Sequence, residues 1–397
     1  MLTLADVVRR HAPAYLERHR HALLPSHVRA LRAIASCRTA ALGGSLANCT
    51  QCGRRHLLYH SCRHRACPRC GHDSTSRWLA RQQQALLPVP YFHVVFTLPA
   101  ELRRLVRSHQ RLLLDALFHA AFESLATLAS DPRFLGARIG ALAVLHTWSR
   151  TLEWHPHVHL LVPGGGLAPD GRTWRSVRRR GRKDFLVPER ALAKRFRGRF
   201  LHRARRALPN VPFPDIPWGK PWVVHAQSSP HLHPHTLLEY LGRYVHRTAL
   251  TDKRLIATDH RSVTFSYRDS RDGVRKSMTL PAHEFLRRFL QHVSPRGFHR
   301  VRAYGLLHSS QRITLRRLQL LLQSRLPPSV PSDPTHPPAR PAASPTPRLR
   351  CPHCHTGTLV ITHLLSPGEC LAFVQAQSAR APPTGPTSQT FASGGDR

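Results

Sequence analysis

Acidic side chains are scarce in this chain of 397 residues: 21 Asp and Glu stand against 60 Lys and Arg, a formal charge of +39. A fold with that imbalance repels itself unless a polyanion neutralises it, so the shortage of acid points to nucleic acid as the partner. Lysine is scarce too, at five residues, and a coding bias towards Arg, Ala, Pro and His is the alternative source of part of the excess. No uninterrupted apolar run approaches the roughly 18 residues of a membrane span. The Arg- and His-rich start "MLTLADVVRRHAPAYLERHRHALL" carries no signal-peptide core. A cytoplasmic protein without a membrane partner is therefore expected. A phosphate loop of the form G-x4-G-K-[ST] is also missing, which argues against a built-in helicase motor.

What is present supports a folded protein. Hydrophobic residues make up 41 % of the chain, enough at this length for two or three domains with a real core. Nine cysteines in a cytoplasmic chain point to thiols or metal ligands rather than disulfides. In "CTQCGRRHLLYHSCRHRACPRCG", Cys49-x2-Cys52 and Cys67-x2-Cys70 are separated by fourteen residues. That is zinc-ribbon spacing: each pair makes a tight knuckle, Gly53 and Gly71 permit the turn, and four thiolates converge on a tetrahedral ion. One structural Zn2+ on Cys49, Cys52, Cys67 and Cys70 is expected; chance clustering of buried thiols is the competing reading. Cys37 and Cys62 either hold a second ion with His60, His64 or His27, or are ordinary core cysteines. "CPHCH" at Cys351 to His355, with His363 and Cys370 beyond it, reads as a second small zinc knuckle or as part of a disordered tail.

Periodicity suggests an order of elements. A strand is expected over Phe92 to Leu98, a helix over Glu101 to Ser130, and an antiparallel pair of strands over Ile139 to Trp148 and His157 to Val162, closed by a turn at Gly164 to Gly166. The basic segment Arg172 to Arg206 would track a phosphate backbone or form a solvated helix. Strands are expected at Trp222 to Gln227 and Ser262 to Tyr267, with a helix from Thr236 to Leu250 between them. From about Arg325 the proline-rich composition cannot build a core. The boundaries that follow are an N-terminal helical and zinc-binding domain at 1–80, a catalytic domain at 81–310, a Pro-rich linker at 311–350, and a small zinc knuckle with a disordered tail at 351–397.

"HPHVHLLVPGGG" places His155, His157 and His159 on one face of a strand, a start for a metal site. With 30 histidines in the chain, about two His-x-His pairs arise from abundance alone, so the pattern is weak by itself. Tyr240 and Tyr244 are more informative. With seven tyrosines, about 0.1 Tyr-x3-Tyr pairs would occur by chance, and residues four apart share a helix face. They could also simply fill a core. In combination with the His-x-His strand the parts make chemical sense: two imidazoles hold a divalent ion that polarises a phosphate, and a phenolic oxygen attacks it. Mg2+ or Mn2+ suits phosphoryl chemistry and this ligand set. Arg243 and Arg247 beside the tyrosines would neutralise the phosphate or lie on a solvated face.

The blocks "SCRTAALGG", "LLPVPYFHVVFTLPAEL", "AVLHTW", "HPHVHLLVPGGGL", "LEYLGRYVHR" and "MTLPAHEFLRRFLQHVSPRGFHRVRAYG", together with the Cys knuckles, resemble the two-tyrosine HUH transposases of rolling-circle insertion elements, the IS91 type and its common-region relatives. The resemblance spans most of residues 20 to 310. It implies an α+β fold: a central antiparallel sheet with flanking helices (HUH endonuclease, ferredoxin/RRM-like) behind a small N-terminal zinc-ribbon-like domain. It further implies a bacterial, nucleoid-associated enzyme with His157 and His159 as metal ligands and Tyr240 and Tyr244 as nucleophiles. Single-stranded DNA at the element ends and the host helicase and replication machinery would be its partners. The sequence does not identify a third ligand: His93, on the strand expected to neighbour the histidine strand, is one candidate, and His155 and Glu153 are others. The chain departs from the family at Ala66, where a His is usual, in a short stretch between Arg206 and Trp222, and in its Pro-rich end. A replication initiator or relaxase, and a non-catalytic zinc-ribbon DNA-binding protein, are the competing functions.

Overall fold

Alternation along "WHPHVH", continued by the apolar run "LLVP", gives a strand with one face in the core and histidines on the other. Val158, Leu160 and Val162 are fully buried in the main core, while His157 and His159 point to the opposite side. The computed structural model describes residues 1–70, 78, 82–180, 183–216, 219, 221–229, 249–269, 271–324 and 349–379. They form two compact units, one of 1–35 with 63–337 and one of 36–62 with 338–397.

The smaller unit contains β1 (Gly44–Cys49) and β2 (Arg55–Tyr59). The larger contains β3 (Tyr91–Thr97), β4 (Gly140–Trp148), β5 (Trp154–Pro163), β6 (Gly165–Leu167), β7 (Trp174–Ser176), β8 (Arg178–Arg180), β9 (Lys183–Phe185), β10 (Val224–Ser229), β11 (Leu255–Thr258), β12 (Ser262–Arg268), β13 (Arg275–Pro281) and β14 (Val301–Gly305). Its centre is a five-stranded antiparallel sheet in the order β10-β3-β5-β4-β14. Helices α1 (Leu4–His19), α2 (Pro25–Ala35), α3 (Arg103–Ser108), α4 (Gln110–Ser130), α5 (Glu189–Ala207), α6 (Ala282–Gln291) and α7 (Arg312–Gln323) belong to the same unit. This is the expected α+β architecture, with the "FHVVFTLP" strand beside the histidine strand.

One face of the sheet is sealed by α4 and α5. Leu113, Leu117, Phe118 and Leu125 of α4, with Phe196 and Phe200 of α5, pack on Val94, Phe96, Leu145 and Val158. Each such side chain contributes about 1.5–3 kcal/mol when fully buried. Among the described residues, α4 is the helix long and apolar enough to cross a bilayer, and its apolar residues lie in this core. The helix expected over 101–130 breaks at His109, whose φ of −120° and ψ of 47° are not helical.

Gly165 and Gly166 do not make the expected turn; they lie in β6. A Cβ at Gly165 would stand 2.5 Å from the Arg175 carbonyl oxygen, and one at Gly166 would stand 2.5 Å from that of Arg138. Close backbone approach is what these glycines permit.

In the smaller unit, β1 is flanked by β2 and by β15 (Leu359–Leu365), both antiparallel, and α8 (Pro367–Ala379) follows β15. The compact units therefore do not follow the boundaries expected at 80, 310 and 350. Residues 1–35 belong with the large sheet, and α7 buries Leu315, Leu318 and Leu322 against Leu87 and Leu306. Residues 351–379 are not a tail, because β15 pairs with β1 along its length.

Candidate metal centre and nucleic-acid cleft

The antiparallel register of β4 and β5 sets His146 directly opposite His157 and Val144 opposite His159. Three imidazoles therefore converge on one face of the sheet, His146, His157 and His159, each offering a nitrogen within 4.8 Å of the others. His146 and His159 are buried, with ring centroids 4.1 Å apart, and His157 is half-buried. Burial lowers all three pKa values: His157 to about 4, His159 to about 2, and His146 well below the usual imidazole range, with the neighbouring imidazoles adding to the effect. At neutral pH the rings are uncharged, the state in which a nitrogen lone pair can bind a cation.

Hydrogen bonds fix which nitrogen faces inward. His157 Nδ1–H donates to the His155 carbonyl at 2.7 Å. His159 Nδ1 lies 2.7 Å from His93 Nε2. With both Nδ1 atoms engaged, Nε2 is the ligand-capable atom of each ring. The donor set, three neutral imidazoles, can hold a divalent transition-metal ion.

The third position differs from expectation. His93 does not join the three converging rings; its ring meets that of His159 edge to edge through that nitrogen contact, with the planes 10° apart and the centroids 5.0 Å apart. His155 accepts from the Arg103 guanidinium at 2.6 Å, and Glu153 is exposed. The third imidazole is that of His146, and its sequence signal is the "AVLHTW" strand itself.

The histidines open into a cleft of about 880 Å³. Arg150, Arg254, Arg268 and Arg275 contribute to its walls, with Tyr267 of β12 and Trp148 of β4. Arg254 is held by the Ser266, Ala249 and Arg150 carbonyls, and Arg150 by those of Arg268 and Asp269. A concave, positive wall around an imidazole cluster suits a phosphodiester. A second basic surface is α5, whose buried stripe is Leu192, Phe196, Phe200 and Ala204. Arg199 and Arg203 on it pair with Glu123, whereas Lys194 and Arg195 border a shallow surface groove. Tyr240, Tyr244, Arg243 and Arg247 lie outside the described residues.

The cysteines do not group as their spacing suggests. Cys49 and Cys52 lie in the smaller unit, where they meet Cys351 and Cys354; Cys67 and Cys70 belong to the larger unit. The expected set Cys49, Cys52, Cys67 and Cys70 is thus divided, because β1 takes a strand partner from the far end of the chain. Cys37 is buried and Cys62 half-buried, both in the smaller unit.

Residues 140–313, which include all three imidazoles, match the family model described as "Putative transposase". Residues 7–98, with six of the nine cysteines, match the transposase zinc-binding domain. "Putative transposase y4qJ" of Sinorhizobium fredii is 42 % identical over 328 residues, covering 78 % of this chain and 81 % of that protein. The "Transposase for insertion sequence element IS801" of Pseudomonas savastanoi pv. phaseolicola is 32 % identical over 295 residues, 68 % of each chain. No solved structure matches the chain.

Proposed function

The chain belongs to the IS91 family of insertion-sequence transposases, and on that premise we propose that it cuts and rejoins single-stranded DNA at the ends of its element, in a rolling-circle reaction with Tyr240 and Tyr244 as nucleophiles. The observation that carries the reading is the cluster His146, His157 and His159 at the floor of an arginine-walled cleft.

The sheet presents the imidazoles in their neutral form, and the arginine wall receives the DNA backbone. A divalent ion, Mg2+ or Mn2+, would supply Lewis-acid polarisation of the scissile phosphoryl oxygen. The phenolic oxygen of one tyrosine attacks phosphorus, its proton passing to solvent. The new P–O bond is a 5′-phosphotyrosine, and the bond to the 3′-oxygen breaks, leaving a 3′-hydroxyl once that oxygen takes up a proton. The covalent linkage conserves the phosphodiester's energy while the second tyrosine opens another strand. In the helix expected from the sequence, the i and i+4 spacing would put both tyrosines on one face, where each could approach one phosphate in turn. Arg243 and Arg247 would neutralise charge beside them. Strand displacement would fall to a host helicase and the replication machinery at the nucleoid.

The test is a single-stranded oligonucleotide carrying the element end, incubated with protein and Mn2+ and run on a denaturing gel. A covalent adduct mapped to the peptide containing Tyr240 and Tyr244 is expected. Binding without cleavage would favour a non-catalytic DNA-binding protein, and an adduct on another residue would overturn the assignment.

A further inference from the structure

We propose that Cys49, Cys52, Cys351 and Cys354 hold one zinc ion that fastens the C-terminal strand of the smaller unit to its N-terminal one, a site independent of the cleavage chemistry. The four sulfurs lie within 4.8 Å of one another. A tetrahedral tetrathiolate with Zn–S bonds of about 2.3 Å has sulfur–sulfur edges of about 3.8 Å. Cys49 Sγ stands 3.6 Å from Cys354 Sγ, and Cys52 Sγ stands 3.8 Å from Cys351 Sγ. These are edges of such a tetrahedron, and they are far longer than the roughly 2.0 Å of a disulfide.

The backbone around the thiols is built twice to the same pattern. In the first knuckle the amides of Gln51 and Cys52 donate to Cys49 Sγ at 3.4 and 3.5 Å, and the Gly53 amide donates to the Cys49 carbonyl. In the second the His353 amide donates to Cys351 Sγ at 3.4 Å, and the His355 amide donates to the Cys351 carbonyl. The residue that follows each knuckle is left-handed, Gly53 with φ +66° and His355 with φ +60°. A non-glycine residue such as His355 rarely adopts that region, so its conformation is one the surrounding knuckle imposes.

The two knuckles are also joined to each other. The Thr50 amide donates to the Thr358 carbonyl at 3.0 Å, and the Thr358 amide donates to the Thr50 hydroxyl at 3.1 Å. Between them stands Gly357, whose amide donates to Cys354 Sγ at 3.3 Å; a Cβ there would stand 2.3 Å from Cys49 Sγ. His56 Nε2 lies 3.3 Å from Cys351 Sγ, placed to donate to a thiolate. Cys49 and Cys351 are buried together with Ala47 and Leu359, while Cys354 is half-buried and Cys52 exposed, so the four thiols run from the core of this small unit to its surface.

The experiment uses the full chain. Zinc content per chain should fall by one equivalent in the Cys351→Ser, Cys354→Ser double variant relative to wild type. Because that variant could misfold, the wild-type protein is also alkylated with and without a chelator, and its cysteine peptides are mapped by mass spectrometry. Cys49, Cys52, Cys351 and Cys354 should be protected together while metal is bound and become reactive together when it is removed. Unchanged zinc content in a folded double variant, a disulfide among the four, or alkylation of Cys351 and Cys354 while Cys49 and Cys52 stay protected would overturn the proposal. None of these outcomes bears on whether the protein cleaves DNA.

Discussion

Replacing His93 by Ala removes the imidazole that meets His159 Nδ1 at 2.7 Å while leaving His146, His157 and His159 in place. If His93 orients a ligand without being one, its removal lets His159 turn and weakens metal affinity. Such a change commonly costs 10- to 100-fold, about 1.4–2.7 kcal/mol. Cleavage of a single-stranded oligonucleotide, titrated with Mn2+, should then need 10- to 100-fold more metal for half-maximal rate and recover near wild-type activity at saturation. His146→Ala removes a donor from the cluster itself, and excess Mn2+ should not restore it. DNA affinity should be nearly unchanged in both, since it is spread over many basic side chains. Inactivity of His93→Ala at saturating Mn2+, or rescue of His146→Ala by it, would refute these roles.

Tyr240→Phe and Tyr244→Phe should each still permit some single cleavage in vitro while blocking complete transposition in cells; normal transposition by either variant would refute paired nucleophiles. Lys194→Glu with Arg195→Glu on α5 should weaken binding to single-stranded DNA and reduce its salt slope by about 0.7 for each phosphate no longer neutralised, read from affinities at several salt concentrations. Stability should fall in acid. Burial lowers His27 to about 4 and His292 to about 3 from an unfolded value near 6.5, so the unfolded chain binds more protons between those limits. Neither residue costs stability above pH 6.5, and each removes up to about 1.4 kcal/mol per pH unit as the pH falls towards 4 and 3; denaturant melts at pH 7 and 5 that coincide would contradict this.

Much of the larger unit is legible in the sequence because its strands alternate. The "FHVVFTLP" and "HPHVHLLVP" segments form β3 and β5, neighbours in the sheet, and His157 and His159 fall on the face opposite Val158 as alternation requires. His146 does not stand out in the same way, because alternation fixes a side chain's face and not its partner across the ladder. That partner depends on the connection between β4 and β5, where Ser149 and Leu152 close a tight loop and Leu152 takes φ +63°, and on an irregularity between His146 and Trp148.

The cysteines show the same limit over a longer span. Spacing rules favour the nearest Cys-x2-Cys pair, and Cys67 with Cys70 is far closer along the chain to Cys49 and Cys52 than is Cys351 with Cys354. Distance along the chain is a weak constraint once a sheet forms, because closure entropy grows only logarithmically with loop length. Pairing β15 with β1 sets Cys49 opposite Leu359, and that brings the second knuckle to the first. A usable signal exists in the two segments. "TLVITHLL" after "CPHCH" has the β-branched content of a strand, and a Cys knuckle leading into a strand is the mirror of β1 leading into Cys49. A chain end of that composition is a candidate sheet partner rather than a tail, and in that role Cys351 and Cys354 are as eligible as Cys67 and Cys70 to complete a site begun by Cys49 and Cys52.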